Sequence, residues 1–305
     1  MNAITDKPPL DAAIAEMERR WKESGIPGLY EGGNGPVSRE RARNIRALLY
    51  PKPKLPTGPI EAFDIPGPGG PIPVRVIRPV EGEPIGTLVY YHGGGWILGD
   101  LESHEAHAIR LANRARVVVL NVDYRLAPEH PYPQGVEDSI AAARWAHAER
   151  ARLGGAQRPL AVGGDSAGGN MAAVAALQCR DDGIALAAQL LIYPATDLSG
   201  LNDPLVMNAY FGADGAHRRS EPRASPRLWP RLAGVAPAII GVGPYDFLYR
   251  DNLAYAQALR EAGAQVLLRE FPTLNHGFFS YTAISPACAQ AADLLCDDLR
   301  AQLGA

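Results

Sequence analysis

Long apolar runs are the feature that this sequence most clearly lacks. No stretch of the 305 residues approaches the ~18 consecutive apolar residues of a membrane-spanning helix. The first residues, MNAITDKPPLDAAIAEMERR, also lack the apolar core of a secretory signal peptide. We therefore expect a cytoplasmic protein without a membrane partner.

Cysteine and excess charge are scarce as well. The three cysteines, Cys179, Cys288 and Cys296, are an odd number without metal-type spacing, so we expect free thiols in helices. Lys and Arg number 30 against 33 Asp and Glu, a formal net charge of -3. This balance gives no sign of a nucleic-acid-binding surface or an acidic tail. The expected partner is a small molecule that is not highly charged.

The pattern of apolar residues changes near residue 50. Before it, apolar residues recur at helical spacing from Leu10 to Trp21, and a second helix is expected over about 38–49. The proline-dense segment 51–59 then separates these helices from the rest of the chain.

Short apolar runs rich in β-branched residues follow this boundary. They are IEAFDI, IPVRVIR, GTLVYYH, RVVVLNVDY, PLAVGG, AQLLIYP, APAIIGVG and QVLLREF. The first three predict an antiparallel start because only a few residues connect them. From the third onward, each gap has room for a crossover helix, as parallel pairing requires. The class is therefore α/β, a mostly parallel sheet with helices on both faces.

Glycines surround one serine where the fifth run meets a helix expected over 167–179. Gly164-Asp165-Ser166-Ala167-Gly168 matches G-x-S-x-G, the nucleophile elbow. In so tight a turn, side chains two residues before and after the serine would collide with the neighbouring strand and helix, so glycine is needed. Ser166 is thus the candidate nucleophile, and a close-packed turn without chemistry is the alternative interpretation.

A serine nucleophile needs a base and an acid that orients the base, in the chain order Ser, Asp or Glu, His. Only His217 and His276 follow Ser166 among the histidines. His276 comes after the last apolar run, where a loop at the carboxyl edge of a parallel sheet would place it beside the serine. Asp246 follows the seventh run and is the predicted acid, with Asp197 after the sixth run as its competitor.

Three successive glycines in YHGGGW (91–96) form the candidate oxyanion loop. They free the backbone to turn its N–H groups towards one point, where they would act with the N–H of Ala167. Phosphate binding is the alternative for a glycine-rich turn, but the P-loop lysine is missing, and no G-x-G-x-x-G with an acidic ribose partner is formed.

Two further segments suggest structural roles. Asp251 is expected inside the helix after Asp246, where it would face solvent or cap that helix. In DYRLAPEHPYP (123–133), Asp123 and Arg125 are expected to pair, and the prolines to fix a rigid loop that supports the oxyanion loop. His130 is not expected to be catalytic.

Five motifs together resemble one family. HGGGW, DYRLAPEHPYP, GDSAGGN, EPRASP (221–226) and NHGF are similar to motifs of the hormone-sensitive-lipase-like branch of the α/β-hydrolases, the bacterial family IV carboxylesterases. The resemblance covers roughly residues 55–300. It implies an α/β-hydrolase fold with a mostly parallel eight-stranded sheet, a catalytic domain over 53–305, and a small helical cap made from residues 1–52 and the insertion 198–233.

The resemblance also implies site residues and a reaction. Ser166, Asp246 and His276 would form the triad, and Gly94, Gly95 and Ala167 the oxyanion hole, with Gly93 as an alternative donor. No metal and no organic cofactor is implied. The expected reaction is hydrolysis of short- to medium-chain esters through an acyl-enzyme. Amide, lactone or carbamate hydrolysis by the same triad is the alternative, and a non-catalytic small-molecule receptor is the alternative from another class.

Several aromatic residues are pocket candidates, with ordinary core packing as the alternative: Trp96, Tyr210, Phe211, Phe278 and Phe279. The sequence departs from the family pattern at Asp246-Phe247-Leu248, where D-P-L or D-V-L is usual, and at Asn275, which would add polarity near the base. Whether Tyr245, Phe247 and Tyr249 open or block the pocket is not determined by the sequence. The resemblance further suggests a homodimer formed through an edge strand, for which QVLLREF is the candidate.

Overall fold

Two helices precede the sheet in the computed structural model, which describes residues 7–32, 35–212 and 215–304. They are α1 (Ala12–Ser24) and α2 (Gly35–Leu49). The carboxylate of Asp11 caps α1, because it accepts hydrogen bonds from two backbone N–H groups of the first turn. Both predicted helices are therefore present, and the second begins three residues before its expected start.

A single eight-stranded sheet forms the centre of the molecule, in the order β1-β2-β4-β3-β5-β6-β7-β8. Its strands are β1 (Ile60–Gly67), β2 (Gly70–Ile77), β3 (Gly86–Tyr91), β4 (Val117–Val122), β5 (Leu160–Asp165), β6 (Ala188–Ile192), β7 (Ala238–Val242) and β8 (Val266–Glu270). The remaining α-helices of the described chain are α3 (Glu105–Ala115), α4 (Gln134–Ala148), α5 (Ala167–Asp181), α6 (Pro204–Phe211), α7 (Tyr249–Glu261) and α8 (Pro286–Gly304). All eight predicted strands are present, and β3 to β8 pair only in parallel with one another.

The position of β3 corrects one expectation. β1 and β2 pair antiparallel as predicted, but the other neighbour of β2 is β4, also antiparallel, and not β3. β3 lies one strand further in, between β4 and β5. The connection 78–85 is short, yet eight extended residues reach about 26 Å, well beyond the about 10 Å between next-nearest strands. The short connection between β2 and β3 therefore does not require these two strands to pair directly.

The central strands are buried along their whole length. Every residue of β3, β4, β5, β6 and β7 is buried, as expected for parallel strands covered by helices on both faces. The three cysteines are free thiols in this interior, one in α5 and two in α8, as predicted. Across the described ranges, we find no helix with the length and apolar character needed to span a bilayer.

Two segments lie over the carboxyl ends of the strands. The N-terminal segment is fixed there by a hydrogen bond from the Asp11 N–H to the Thr273 carbonyl, at 2.9 Å, and by one from the Tyr245 hydroxyl to the Pro8 carbonyl, at 2.7 Å. The connection between β6 and β7 carries α6 and two short 3₁₀ helices. Residues of both segments line the cavities that open onto Ser166.

Candidate active site

Ser166 occupies a strained turn between β5 and α5. Its φ of 55° and ψ of -116° lie outside the regions that non-glycine residues ordinarily adopt. A Cβ on Gly164 would collide with the Gly168 backbone, and a Cβ on Gly168 with the Tyr91 carbonyl. Such strain costs on the order of 1–3 kcal/mol and persists where the surrounding structure imposes it. The geometry is that of a nucleophile elbow, and it accounts for both glycines of the motif.

We expect Gly168→Ala to destabilise the protein strongly, because the added methyl would overlap the Tyr91 and His92 carbonyls, which cannot move without disturbing the sheet. The expected loss is about 3 kcal/mol or more of unfolding free energy, measured by urea denaturation. Gly200→Ala is the matched control, because nothing lies within 4 Å of a Cβ built there. Equal stability of the two variants would contradict this view of the turn.

A continuous hydrogen-bonded chain joins three of the predicted site residues. Ser166 Oγ lies 2.8 Å from His276 Nε2, and His276 Nδ1 lies 2.8 Å from Asp246 Oδ2. The Asp246 side chain is fully buried, whereas 24% of the His276 side chain is exposed. The other Asp246 oxygen, Oδ1, accepts a 2.7 Å hydrogen bond from the Leu248 N–H. The acid is thus held on both oxygens, and the imidazole faces the serine.

Strand pairing brings the acid and the histidine together. β7 and β8 run parallel, and an isolated parallel bridge between Tyr245 and Asn275 continues their pairing beyond the strand ends. Asp246 and His276 each come one residue after this bridge. A Cβ at Gly243 would collide with the Leu274 carbonyl, so glycine at this position permits the close approach. The Asn275 amide donates to Glu18 of α1, at 2.7 Å.

The other acids and the other histidine considered from the sequence are not hydrogen-bonded to Ser166 or His276 in the described structure. The carboxylate of Asp197 accepts hydrogen bonds from Ser199 and Arg227. Asp251 does not face solvent, since its carboxylate accepts from the Thr196 N–H and hydroxyl at 2.7 and 2.8 Å. His217 is exposed and lies in the 3₁₀ helix Gly215–Ser220. Among the acids weighed from the sequence, Asp246 is the one hydrogen-bonded to the histidine.

The expected pairing of Asp123 with Arg125 is wrong. Arg125 forms a two-pronged ion pair with the buried Asp138 of α4, at 2.8 Å for each prong. Two nitrogens of one guanidinium can satisfy both oxygens of that carboxylate, which favours the pair. His130 is exposed, in agreement with its exclusion from the site.

The glycine loop turns two of its three amides away from protein partners. The N–H of Gly93 donates to Asp165 Oδ1 at 3.0 Å and so is not available to a substrate. Gly94 and Gly95 have φ angles of 128° and 60°, which favour glycine. No described residue accepts a hydrogen bond from the N–H of Gly94, Gly95 or Ala167. The predicted oxyanion donors are therefore unpaired, and the alternative donor, Gly93, is occupied.

Two cavities meet at Ser166, His276 and Gly95. The larger, of about 520 Å³, is mainly apolar and is bounded by Trp96, Ala167, Ala195, Leu201, Val206, Phe247 and Leu248, among others. The smaller, of about 160 Å³, lies on the side of α2 and Asp165. Leu29 and Tyr30 of the N-terminal segment border both. A bent small molecule with its reactive centre at Ser166 could extend into both cavities.

Comparison with known proteins gives the family. A model of the α/β-hydrolase fold family matches residues 88–280. The chain belongs to this family. Carboxylic ester hydrolase LipN of Mycobacterium tuberculosis is 37% identical over 99% of this chain and 85% of its own length. Carboxylesterase NlhH of the same organism is 40% identical over 87% of this chain and 89% of its own length.

Solved structures agree with the assignment of this chain to the α/β-hydrolase family. A hyperthermophilic esterase from the archaeon Pyrobaculum calidifontis matches with a TM-score of 0.90 at 32% identity, covering 98% of this chain and 100% of that one. The ester-hydrolase EH1AB1 from the Lake Arreo metagenome matches with a TM-score of 0.88 at 34% identity, with coverage of 98% and 100%. The predicted fold class and the resemblance to the hormone-sensitive-lipase-like branch of carboxylic ester hydrolases are confirmed.

The aromatic residues predicted for the pocket of the hydrolase divide into two groups. Trp96 borders the larger cavity, and its ring stacks on that of Tyr210 with centroids 4.4 Å apart. Tyr210 and Phe211 are buried behind it in the core. Phe278 and Phe279 are buried in the second core layer, where Phe278 contacts Tyr193. For these four residues core packing applies, because α6 and the 3₁₀ helix Phe278–Ser280 bury their rings in the core.

The sequence left three clustered aromatic residues undetermined, and only one of them reaches the cavity. Phe247 is 69% exposed, and its ring centroid lies 4.6 Å from that of His276 at the rim of the larger cavity. The Tyr245 hydroxyl donates to the Pro8 carbonyl, and Tyr249 to Glu270. Phe247 therefore narrows the entrance beside the base, while the two tyrosines have structural partners.

Sequence reasoning missed the N-terminal residue that covers the site. Tyr30 borders both cavities, and its hydroxyl lies where a Cβ on Gly95 would approach within 2.5 Å. No local motif marks this tyrosine, because it lies far from the glycine loop in sequence and only tertiary packing brings the two together. Burial raises the pKa of Tyr30, so its hydroxyl stays protonated.

A buried cluster of three histidines and one aspartate, His92, His104, His107 and Asp165, lies directly behind Ser166. Asp165 accepts from the Tyr90 hydroxyl at 2.6 Å and lies 3.6 Å from His104 Nε2 and 4.0 Å from His107 Nδ1. Burial alone would raise the pKa of Asp165, but the surrounding His104, His107 and Tyr90 hold it below its ordinary value. Burial lowers the pKa of His92 to about 4 and places that of His107 well below the usual range.

Three of these side chains have the chemistry and spacing of metal ligands within the described part of the chain. Ligand atoms of His104, His107 and Asp165 lie within 4.8 Å of one another. Each already has protein partners: Tyr90 and the Gly93 N–H on Asp165, Ser103 on His104 at 2.9 Å, and Ser280 on His107 at 3.3 Å. These contacts give the cluster a role in fixing the glycine loop that requires no metal.

The buried histidines predict that stability falls in mild acid. His92 takes up a proton near pH 4 in the folded protein, and near pH 6.5 when unfolded. Between these values the unfolded chain binds more protons, so the unfolding free energy decreases as the pH falls, by up to about 1.4 kcal/mol per unit and histidine. Asp165 does not change this dependence between pH 7 and 5, because its pKa is lowered in the folded protein and is about 3.9 in the unfolded chain, so the carboxylate is ionised in both states.

Urea unfolding at pH 7, 6 and 5 measures this dependence. His92→Asn should reduce this dependence without abolishing it, because the buried His107 still contributes, whereas the exposed His130→Asn should reproduce the wild-type slope. An unfolding free energy that does not change over this range would rule out neutral buried histidines.

Proposed function

We propose that this hydrolase is a serine carboxylesterase in which Ser166, His276 and Asp246 form the catalytic triad. The observation that carries the proposal is the hydrogen-bonded chain from Ser166 Oγ through the imidazole to Asp246, with 2.8 Å at each step. The unpaired N–H groups of Gly94, Gly95 and Ala167 support it, because developing negative charge needs donors that are already in place. The ester-hydrolase names of the relatives agree with this chemistry.

The mechanism follows from the order of these contacts. His276 Nε2 takes the proton of the Ser166 hydroxyl as the oxygen attacks the ester carbonyl, and the N–H groups hold the resulting oxyanion. His276 then gives that proton to the departing alcohol. Water hydrolyses the acyl-enzyme with the same imidazole as base. Asp246 fixes the tautomer by accepting from Nδ1–H and stabilises the transient imidazolium.

The larger cavity supports short- to medium-chain esters as substrates. Its apolar walls and its volume of about 520 Å³ suit a small ligand, and Phe247 and Tyr30 border it. Hydrolysis of p-nitrophenyl esters from acetate to palmitate tests this, with a maximum of kcat/KM expected at short or medium chains. Faster turnover of emulsified long-chain triglycerides than of dissolved short esters would overturn the size assignment.

Matched ester and amide substrates separate the related reactions. We expect kcat/KM to be far higher for the ester, and the reverse order would point to an amidase. A protein that binds an apolar ligand but hydrolyses no ester, amide, lactone or carbamate would instead be a receptor.

We also propose that residues 1–52 and 198–233 form a cap over the catalytic domain, since both segments border the cavities. A homodimer through β8 is a further proposal, supported by the position of this strand at the edge of the sheet. Light scattering at micromolar concentration tests it, and a monomer there would count against it.

A further inference from the structure

Helix α2 directs three arginines towards the smaller cavity. Arg39, Arg43 and Arg46 are spaced by four and three residues, so they lie on one face of the helix, and all three border the cavity. Like charges at such spacing repel one another by a few tenths of a kcal/mol. The arrangement therefore costs some helix stability and concentrates positive charge beside Ser166.

The acidic groups at this cavity already have protein donors. Asp100 accepts a 2.6 Å hydrogen bond from the Ser103 N–H, and Asp165 accepts from the Tyr90 hydroxyl and the Gly93 N–H. Neither aspartate forms an ion pair with an arginine of α2 in the described structure.

The three arginines differ in their partners. Arg39 pairs with Glu129 and donates to the Ile97 carbonyl. Arg46 donates to the Ser103 carbonyl at 3.0 Å, a neutral acceptor that leaves its charge uncompensated. For Arg43, no residue within the described ranges serves as a hydrogen-bond acceptor or ion-pair partner. Two guanidinium groups of the cavity, Arg43 and Arg46, thus form no ion pair within the described ranges, and the two carboxylates of the cavity are held by neutral donors.

The larger cavity has the opposite charge. Asp203 borders it, and none of the residues that border it is an arginine or a lysine. The Asp203 carboxylate caps α6 by accepting from the N–H groups of Leu205 and Val206 at 3.1 and 3.2 Å. Among the described residues, guanidinium donors for an anionic substrate group therefore lie on the α2 side of Ser166 and not on the side of Asp203.

We propose that the smaller cavity binds the carboxylate of a substrate that has a second, free acid group besides its ester, such as the half-ester of a dicarboxylic acid. The inference rests on the proposed function and adds the substrate class to it. A guanidinium binds a carboxylate through paired charge-assisted hydrogen bonds. Arg43 is the principal contact and Arg46 supports it, while the ester carbonyl lies at Ser166.

Two pairs of esters test the proposal, each differing in one terminal group. Monoethyl adipate has a carboxylate where ethyl hexanoate has a methyl, on the acyl side. The pair of 5-acetoxypentanoate and pentyl acetate places the same change on the alcohol side. The readout is the ratio of kcat/KM for the charged and the neutral member of each pair. This ratio does not depend on the fraction of folded enzyme, because the same active sites hydrolyse both esters.

Arg43→Gln is expected to lower this ratio about fivefold in one of the two pairs, the change that corresponds to a partly exposed ion pair. The pair that responds identifies the side of the ester that enters the cavity, and shorter and longer homologues measure the reach. Raising the salt concentration should lower the wild-type ratio, because the Debye length falls from about 10 Å at 0.1 M to about 3 Å at 1 M.

Arg231→Gln is the matched control, since it removes the same charge from an exposed arginine that pairs with Asp181 outside both cavities. The proposal is overturned if Arg43→Gln leaves the ratio unchanged in every pair, or if Arg231→Gln lowers it equally. Failure of the proposed function looks different, because the wild type would then hydrolyse neither the charged nor the neutral esters.

Discussion

Replacement of Ser166 by alanine is expected to lower kcat for p-nitrophenyl ester hydrolysis by about 10⁴-fold or more, as for other triad serines. The variant keeps the Cβ and therefore the same backbone requirement at φ 55°, so the turn should form as in the wild type. What is lost is the oxygen 2.8 Å from His276 Nε2. The unpaired N–H groups of the glycine loop would remain and account for residual activity.

Ser199→Ala is the control for this experiment. Ser199 is exposed and donates to Asp197, away from both cavities. Its loss should leave kcat/KM unchanged, and circular dichroism together with urea unfolding checks that both variants are folded. A Ser166→Ala protein that retains a tenth or so of wild-type kcat would refute the assignment of the nucleophile, because triad serines contribute far more.

Asp246→Asn is expected to lower kcat by about 10⁴-fold with little change in the fold. The carboxylate accepts from His276 Nδ1–H and faces the positive charge that forms on the imidazole. An amide has no charge to stabilise that cation, and its NH₂ group favours the tautomer with the proton on Nε2, which cannot act as a base towards Ser166. The Leu248 N–H would still find an oxygen acceptor, so the loop should keep its shape.

Asp197→Asn separates the two candidate acids. Asp197 interacts with Ser199 and Arg227 and not with the imidazole, so its replacement should change kcat less than about tenfold, within the range of a surface ion pair. The pH profile of kcat/KM for both variants is the second readout. If Asp197→Asn proved the more damaging, the acid of the triad would have to be reassigned.

The sequence was sufficient for the features that depend on local patterns. Apolar runs predicted all eight strands, and the signal is clearest for the five central ones, because a parallel strand covered by helices on both faces is buried along its whole length. The G-x-S-x-G spacing predicted the turn at Ser166, since glycine alone avoids the carbonyl of Tyr91 at the position of Gly168. The positions of Asp246 and His276 followed from chain order and from the rule that loops at the carboxyl edge converge.

Other features depended on which segments meet in space. The insertion of β4 between β2 and β3 was not predicted, because a connection of eight residues permits both arrangements. Arg125 forms its ion pair with Asp138, thirteen residues away, and not with the nearby Asp123. The buried Asp138 carboxylate on α4 accepts hydrogen bonds from two nitrogens of the guanidinium. Proximity in sequence therefore predicted neither the strand that pairs with β2 nor the ion-pair partner of Arg125.

The three glycines of the loop 93–95 also show what sequence indicates and what tertiary structure decides. The sequence indicated that two of these amides point towards the substrate. Tertiary structure decided that Gly93 is excluded, because the pleat at the end of β5 directs the Asp165 carboxylate to the Gly93 N–H. A side-chain direction of this kind depends on the register of two strands.

Charge gives the clearest contrast between sequence and structure. A formal charge of -3 on 305 residues indicated a small partner that is not highly charged. Composition is an average over the whole surface, so it does not show where charges gather locally. The arginines of α2 and Asp203 of α6 become neighbours of Ser166 only when both segments fold over the sheet. The sequence by itself determined the fold class and indicated Ser166, Asp246 and His276 as candidate site residues, because both inferences depend on local pattern and chain order. Only the tertiary structure decided which charged side chains lie on each side of Ser166, because electrostatic interactions depend on distance in space and not on separation along the chain.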